Sequence, residues 1–359
     1  MHLHCITNFT ELGGAEGALI RVINKSQSTP IEIVSLMAIS SEMKAKIKHP
    51  NCKFTALEAR GPISLVFSVF SLALLLRVKN PKKLFSWMYH ANAVSALAIL
   101  LSFSKVRLLW GVRHSLDDYQ GEKRSTKIAI QLGRIFKFVP HKVIYCSRKA
   151  QDQHEQFGYN SRQKSIYIPN GYSFGVLKPR RFNHNRIIIG AAGRYHAAKD
   201  YGTLFRAVKH LKKHNLNIDL RICGRGMDYE NEELVNLIID SGLSPSEVNL
   251  LGEVRAMAKF YEEIDLFILS SKTEGFPNVL AEAAAQGCAV FSTDVGDAPY
   301  IINNDEHIVA VKDPIALAEC IYSFIKKPLV AKQQAMALTS QHVRNNFCIA
   351  NIAKRFSEV

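Results

Sequence analysis

The sequence has no C-x-x-C. Its seven cysteines, at positions 5, 52, 146, 223, 288, 320 and 348, are odd in number and scattered. That argues against a disulfide framework or a zinc site and fits a reducing compartment. There is no D-x-D, and no His/Cys cluster reads as metal-spaced, so no metal is expected. No G-x-G-x-x-G follows the first strand of either half. GAAG at Gly190–Gly193 and GRG at Gly224–Gly226 do not fit it, which counts against a dinucleotide oxidoreductase. The N-terminus, MHLHCITNFTELGG, lacks a charged region followed by an apolar core and does not read as a signal peptide. No run reaches the ~20 apolar residues needed to span a bilayer. Internal repeats, low-complexity tracts and long linkers are absent, as are RNA-binding motifs. Acids are the scarcer charge, 31 against 46 lysines and arginines, for a net charge of +15. Such an excess implies an anionic partner: nucleic acid, a phosphorylated substrate or an acidic membrane.

What is present is alternation. LHCIT, IEIVSLM, KLFSWM, VRLLWGV, KVIYCS and SIYIP in the first half read as strands. RIIIGAAG, IDLRICG, VNLLG, DLFILS and AVFSTDV do so in the second. Helical patterns separate them, which predicts parallel βαβ units. A chain of 359 residues exceeds one core, so two Rossmann-like domains are expected. The joint falls in IPNGYSFGVLKPRRFNHN, rich in Pro, Gly, Asn and Arg. The most apolar run, Ile63 to Leu76, is followed by Arg77, Lys79, Lys82 and Lys83. It reads either as a membrane-surface helix beside a cationic cluster or as a buried core helix with a charged exit.

The most informative block is EGFPNVLAE, Glu274 to Glu282. Gly275 and Pro277 break structure ahead of a helical run that stops at Gly287. Strand, loop and helix N-terminus follow in order, and free N–H groups at such a terminus attract phosphate oxygens. Eight residues of one helix turn through about 800°, so the two acids need not share a face. Glu274 is expected in the loop and Glu282 within the helix. Taken singly, each also fits an ordinary helix-terminal or solvated acid.

Several motifs stand in one order: GGAE (Gly13–Glu16), WMYHAN (Trp87–Asn92), WGVRHS (Trp110–Ser115) and IPNG (Ile168–Gly171), then AAGRYHAAKDY (Ala191–Tyr201), CGRG (Cys223–Gly226), LGEV (Leu251–Val254) and EGFPNVLAEA (Glu274–Ala283). In this order the chain resembles the retaining glycosyltransferases of family 4, over nearly its whole length. The resemblance implies an α/β protein of GT-B fold, two Rossmann-like domains facing across a cleft. It places an acceptor-side domain at 1–172 and a nucleotide-sugar-binding domain at 173–340. A C-terminal helix at 341–359 would cross back to the first domain.

It also implies roles. Arg194 and Lys199 would clamp the donor diphosphate, as a bidentate fork and a point charge. Glu282 would hold the ribose and Glu274 the donor sugar. Gly275, Phe276 and Asn278 would offer N–H groups to the sugar, and Val279 and Leu280 to the diphosphate. Gly13 and Gly14 would let backbone approach the donor closely. His114 would reach the transferred sugar, and His90 would face the acceptor. No cofactor is implied beyond the nucleotide-sugar donor, uridine diphosphate being the family-weighted nucleotide. The expected acceptor is a glycan or polyprenyl-diphosphate-linked glycan of surface polysaccharide such as O-antigen or capsule. That sets the protein in the cytoplasm, peripheral on the anionic inner face of the cytoplasmic membrane, with no nucleic-acid partner. Two rival classes are a nucleotide-sugar epimerase on the same fold and a non-catalytic basic binder of membrane or nucleic acid. An epimerase would form product without acceptor, and a basic binder would show steep salt dependence.

Overall fold

Strands that read as near-continuous apolar runs belong in parallel sheets covered on both faces. Two such sheets form. The computed structural model describes residues 1–26, 29–177 and 186–359, so the second part of the Pro/Arg-rich joint, 178–185, lies outside the described residues. The chain divides into two units, Met1–Tyr172 with Ile349–Val359, and Ser173–Cys348.

The first unit alternates β1 (His2–Ile6), α1 (Gly14–Lys25), β2 (Ile31–Ser35), α2 (Ser41–Ala45), β3 (Cys52–Ala56), α3 (Pro62–Lys79) and β4 (Lys83–Trp87). It continues with α4 (Tyr89–Ser102), β5 (Arg107–Val112), α5 (Arg124–Ile135), β6 (Lys142–Tyr145), α6 (Arg148–Gln156) and β7 (Ser165–Tyr167). The second unit runs β8 (Ile187–Ala192), α7 (Tyr201–Lys212), β9 (Ile218–Cys223), α8 (Glu232–Asp240), β10 (Val248–Leu250), α9 (Met257–Glu263) and β11 (Leu266–Leu269). It ends with α10 (Asn278–Ala285), β12 (Ala289–Thr293), α11 (Ala298–Ile302), β13 (Ile308–Val309), α12 (Pro314–Lys326) and α13 (Leu329–Asn346). The last helix, α14 (Ile349–Glu358), returns to the first unit and packs on α1. Because α13 runs unbroken to Asn346, the change of unit falls after Cys348 rather than before Gln341.

Every strand pair is parallel. The orders are β3-β2-β1-β4-β5-β6-β7 and β10-β9-β8-β11-β12-β13. Two strands escaped the sequence reading. β3 is a half-exposed edge strand, CKFTA, without a clean apolar pattern. β13 has only two residues, too few for any period to show.

Side chains of a strand alternate between faces. In the first unit Leu3, Leu84, Leu108 and Trp110 face one core, shared with Leu72 and Leu76 of α3 and Ile130 of α5. Ile33, Phe85, Leu109 and Ile144 face the other, shared with Leu19 of α1 and Ile352 and Phe356 of α14.

One buried histidine in the first core carries a pH signature. His154 Nδ1–H donates to the Ala150 carbonyl (2.7 Å), which leaves Nε2 to accept from the Tyr89 hydroxyl (2.8 Å). Burial lowers its pKa from 6.5 to about 4. As pH falls through that interval the unfolded imidazole takes up a proton that the folded one refuses. Stability is therefore full above the unfolded pKa and lost on acidification, by up to about 1.4 kcal/mol per pKa unit. The Tm should decline over this window, and His154→Gln should flatten part of the decline. Equal slopes in both proteins would contradict the assignment.

Candidate active site

In each sheet the strand order reverses beside the first strand, between β1 and β4 and between β8 and β11. Connections leave to opposite faces there, and the crevice at the strand C-terminal ends is where open α/β sheets bind ligands. The sequence-derived candidates gather at these two edges, and each edge is described within its own unit.

In the second unit the loops after β8, β11 and β12 are stitched together. Lys272 N–H donates to the Ala198 carbonyl at 2.7 Å. Ser270 Oγ donates to the Lys199 carbonyl at 3.0 Å. Thr293 Oγ1, at the end of β12, donates to the Ser271 carbonyl at 2.6 Å. The result holds Lys199 against Glu274: Nζ lies 2.6 Å from Oε1, with both side chains mostly buried. Ser271 Oγ donates to the same oxygen at 2.8 Å. Two residues that the resemblance assigns to different parts of a donor are thus each other's partner. An ammonium has three donors, and Glu274 accepts one of them.

Lys199 closes a short 3-10 turn, Ala197–Lys199, and Asp200 after it has φ +47. That left-handed backbone is uncommon outside glycine and concentrates at functional sites. Arg194 is exposed at the mouth of the same loop. His196 reports both cations. Its pKa is lowered by burial and then by Arg194 and Lys199.

Glu274 stands in the loop and Glu282 at the fifth position of α10. Pro277 sits one place earlier than the first helical turn, as N-cap, and Gly287 ends the helix with φ +77. Leu280 corrects an expectation. Its N–H already donates to the Pro277 carbonyl at 3.2 Å, so the helix ladder begins there. Asn278 and Val279, ahead of it, are the first two residues of α10. Gly275 is buried, and Phe276 packs edge-on against Phe347 at 5.2 Å, giving the loop a hydrophobic anchor. Glu282 accepts from the Tyr261 hydroxyl at 3.1 Å. Burial, and then Glu282, raise the tyrosine's pKa well above its usual value.

Gly296, after β12, is a further site residue that the sequence reading missed. It has φ +50, and a Cβ there would lie 2.1 Å from the Gly275 carbonyl oxygen and 2.7 Å from that of Glu274. Asp297 N–H donates to the Gly275 carbonyl at 3.2 Å. The only sequence signal was a lone glycine just past a strand. Ser271 and Tyr261 were equally silent.

In the first unit Gly13 caps α1 and Gly14 is its first residue. The Glu16 carboxylate folds back over this terminus. A Cβ on Gly13 would lie 2.5 Å from Glu16 Oε2. Burial raises the Glu16 pKa, against hydrogen bonds from its own N–H and that of Gly13. The helix terminus read as open to a donor phosphate therefore carries its own acid.

His90 is the second residue of α4, half-buried, with its pKa lowered by burial. Met88, just before that helix, has φ +73, again in the left-handed half of the map. His114 follows β5 by two residues, and its Nε2 lies 2.6 Å from Glu122 Oε1. Arg113 beside it is held by contacts within its own unit. Its guanidinium donates to the Ile168 carbonyl (3.2 Å) and Asn170 Oδ1 (3.1 Å) and lies over Trp87 at 5.2 Å.

The expectation of no metal-spaced cluster needs correction. His210 and His214, in HLKKH, stand 3.2 and 3.8 Å from Glu319 Oε1 of α12. The three ligand atoms lie within 4.8 Å of one another, close enough to hold an ion. Spacing i, i+4 puts both imidazoles on one face, while the carboxylate comes from a distant stretch. They sit at the C-terminal end of α7, opposite the edge that carries Lys199, and take no part in this site.

Residues 186–327 match the family model described as Glycosyl transferases group 1. The chain is 28% identical over 139 residues to the putative glycosyltransferase EpsF of Bacillus subtilis strain 168, covering 38% of this chain and 35% of EpsF. It is 25% identical over 236 residues to the capsular polysaccharide biosynthesis glycosyltransferase CapH of Staphylococcus aureus, 63% of each chain. It thus spans between 35% and 63% of the length of these two relatives. Among solved structures, Anabaena HepE in complex with UDP and glucose superposes with a TM-score of 0.82. That match covers 100% of this chain and 98% of HepE at 17% identity. Two parallel-sheet α/β units with this likeness make the fold GT-B.

Proposed function

We propose that the protein is a retaining glycosyltransferase that moves a hexosyl or N-acetylhexosaminyl group from a UDP-sugar to a glycan or polyprenyl-diphosphate-linked acceptor of surface polysaccharide. One observation carries the reading. A lysine and a glutamate are paired at the β8/β11 switch point, beside the N-terminus of α10. A diphosphate placed there meets Lys199, Arg194 and the first N–H groups of α10 together. A ribose reaches Glu282, and a donor sugar meets Glu274.

Bond breaking moves negative charge onto the β-phosphate. Cations and N–H dipoles already aimed at that charge stabilise the transition state. Lys199 passes from Glu274 toward the phosphate as charge develops, which frees a carboxylate oxygen for sugar hydroxyls. The cations are side chains, so the step needs no metal. Glu274 is given to the sugar hydroxyls rather than to the anomeric carbon, so same-face attack is favoured, and the leaving phosphate takes the acceptor's proton. In the first unit His114, oriented by Glu122, serves the transferred sugar, and His90 the acceptor. A lipid-linked acceptor sets the work at the inner face of the cytoplasmic membrane.

Thermal stabilisation across free nucleotides and nucleotide sugars tests the donor site. At a ligand concentration of 100 Kd, binding adds about 2.7 kcal/mol of stability. UDP and one UDP-sugar should raise the Tm of the wild type, and Glu282→Ala should abolish the shift. No shift with any nucleotide would sink the reading.

A further inference from the structure

The helix α3 has two apolar faces. Val69, Leu72, Ala73 and Leu76 are buried in the first unit's core. On the outside, Ile63 is 77% exposed, Val66 57%, Phe67 65%, Phe70 58%, Leu74 63% and Val78 74%. At 100° per residue these six fall within an arc of about 120° and form a stripe along a helix of about 27 Å. An ordinary surface helix turns polar residues outward. This one turns out its phenylalanines.

Along the chain, the charge flanking the stripe is almost all of one sign. From Ala59 to Leu116 the chain has eight lysines and arginines and no aspartate or glutamate. From Lys123 to Gln151 it again has eight and none. Only Asp117, Asp118 and Glu122 lie between, so residues 59–151 hold thirteen of the chain's fifteen net positive charges. Topology gathers many of these cations. Helix C-termini and the strand starts that follow them share one sheet edge. Arg77 lies in the last turn of α3 and Lys82 just before β4, Lys105 precedes β5 and Arg107 begins it, and Arg134 lies in the last turn of α5 with Lys137 just beyond it. All six are exposed. Exposed apolar residues stand among them: Leu101, Phe103, Ile135 and Phe138. α3 packs on α4 and α4 on α5, so the stripe opens onto this edge. Among the described residues no helix is long and apolar enough to cross a membrane.

We infer that the outer stripe of α3, with the basic edge at its C-terminal end, is a docking surface for an anionic lipid bilayer. A protruding apolar ridge rimmed by cations suits insertion to the depth of the headgroups, with lysines and arginines meeting lipid phosphates. A second copy of the chain fits poorly. A two-fold contact would set this cation-rich surface against itself. The inference builds on the membrane-borne acceptor proposed above, and its test is read separately from donor binding.

Full-length protein is sedimented with vesicles of phosphatidylcholine, with and without about one third phosphatidylglycerol, at low and high salt. The wild type should pellet with the anionic vesicles only, and less so at high salt. Val66→Ser/Phe67→Ser/Phe70→Ser should weaken partitioning by about a hundredfold or more, which is what losing two aromatic insertions implies. Arg77→Gln/Lys82→Gln/Lys105→Gln should do the same. Leu338→Ser, at an exposed leucine of α13, should change nothing. Both triple variants should keep the UDP-induced Tm shift of the wild type, which establishes that they are folded. Wild type left in the supernatant, or a Val66/Phe67/Phe70 variant that pellets equally, overturns the proposal. So does a wild-type dimer that dissociates in that variant without any vesicle binding. Loss of the UDP shift in the wild type would instead count against the donor site.

Discussion

Lys199→Ala is expected to lower the turnover of sugar transfer by about 10²–10³-fold, the usual cost of removing one preorganised charge from a developing anion. Two effects add in the same direction. The departing diphosphate loses its ammonium. Glu274, which accepts from Lys199 at 2.6 Å, loses the cation that balances it in a mostly buried position. Ser271 still donates to that carboxylate, so the loop should stay folded. The pairing makes a sharper statement possible. Glu274→Gln removes the acid while keeping shape, and the double variant Lys199→Ala/Glu274→Gln should be less impaired than the product of the two single effects. Steady-state turnover with a UDP-sugar, measured beside UDP affinity, is the check. Lys199→Ala turning over at the wild-type rate would remove the lysine from the clamp. Strictly multiplicative effects would mean that the ion pair has no part in the step.

Gly296→Ala should cost a few kcal/mol of stability and weaken UDP binding by at least tenfold, through sterics alone. The residue has φ +50, where a Cβ costs roughly 1–2 kcal/mol. The larger penalty is contact. The new carbon would lie 2.1 Å from the Gly275 carbonyl oxygen, a backbone atom that can move only if the Glu274–Pro277 loop moves. Gly252 supplies the control. It has φ +60 with nothing within 4 Å of the place a Cβ would take, so Gly252→Ala carries the backbone strain without the clash. Paired Tm and UDP titrations of the two variants separate the terms. Equal losses in both would show that the Gly296 contact does not hold the donor loop.

Much of the architecture was legible in one dimension. RIIIGAAG, DLFILS and AVFSTDV are apolar without alternation, and only a sheet covered on both faces has use for that pattern. The corner from Glu274 to Gly287 was legible for the same kind of reason. Its Gly, Pro and helix-forming alanines act through the backbone of their immediate neighbours. The strand boundaries moved by a residue or two, and β3 and β13 escaped because an edge strand and a two-residue strand carry too little pattern to read. The apolar run at 63–76 shows where local information stops. Hydrophobicity specified a helix, but which of its residues face the core depends on what covers each side. The core-helix reading holds for one face, which is buried, and the other face is exposed.

By itself, then, the sequence determined what depends on near neighbours: the strand and helix periods, the loop-to-helix corner, the excess of cations and their confinement to one stretch. Partnerships were decided only by the tertiary structure. Lys199 meets Glu274, Glu122 meets His114, Gly296 supports Gly275, and the two histidines of HLKKH meet Glu319. Most of these pairs are far apart along the chain and are joined by the order of strands in a sheet. Where two loops meet at a strand edge, close packing leaves room for one geometry. Packing sets that geometry, and no pattern within either loop encodes it.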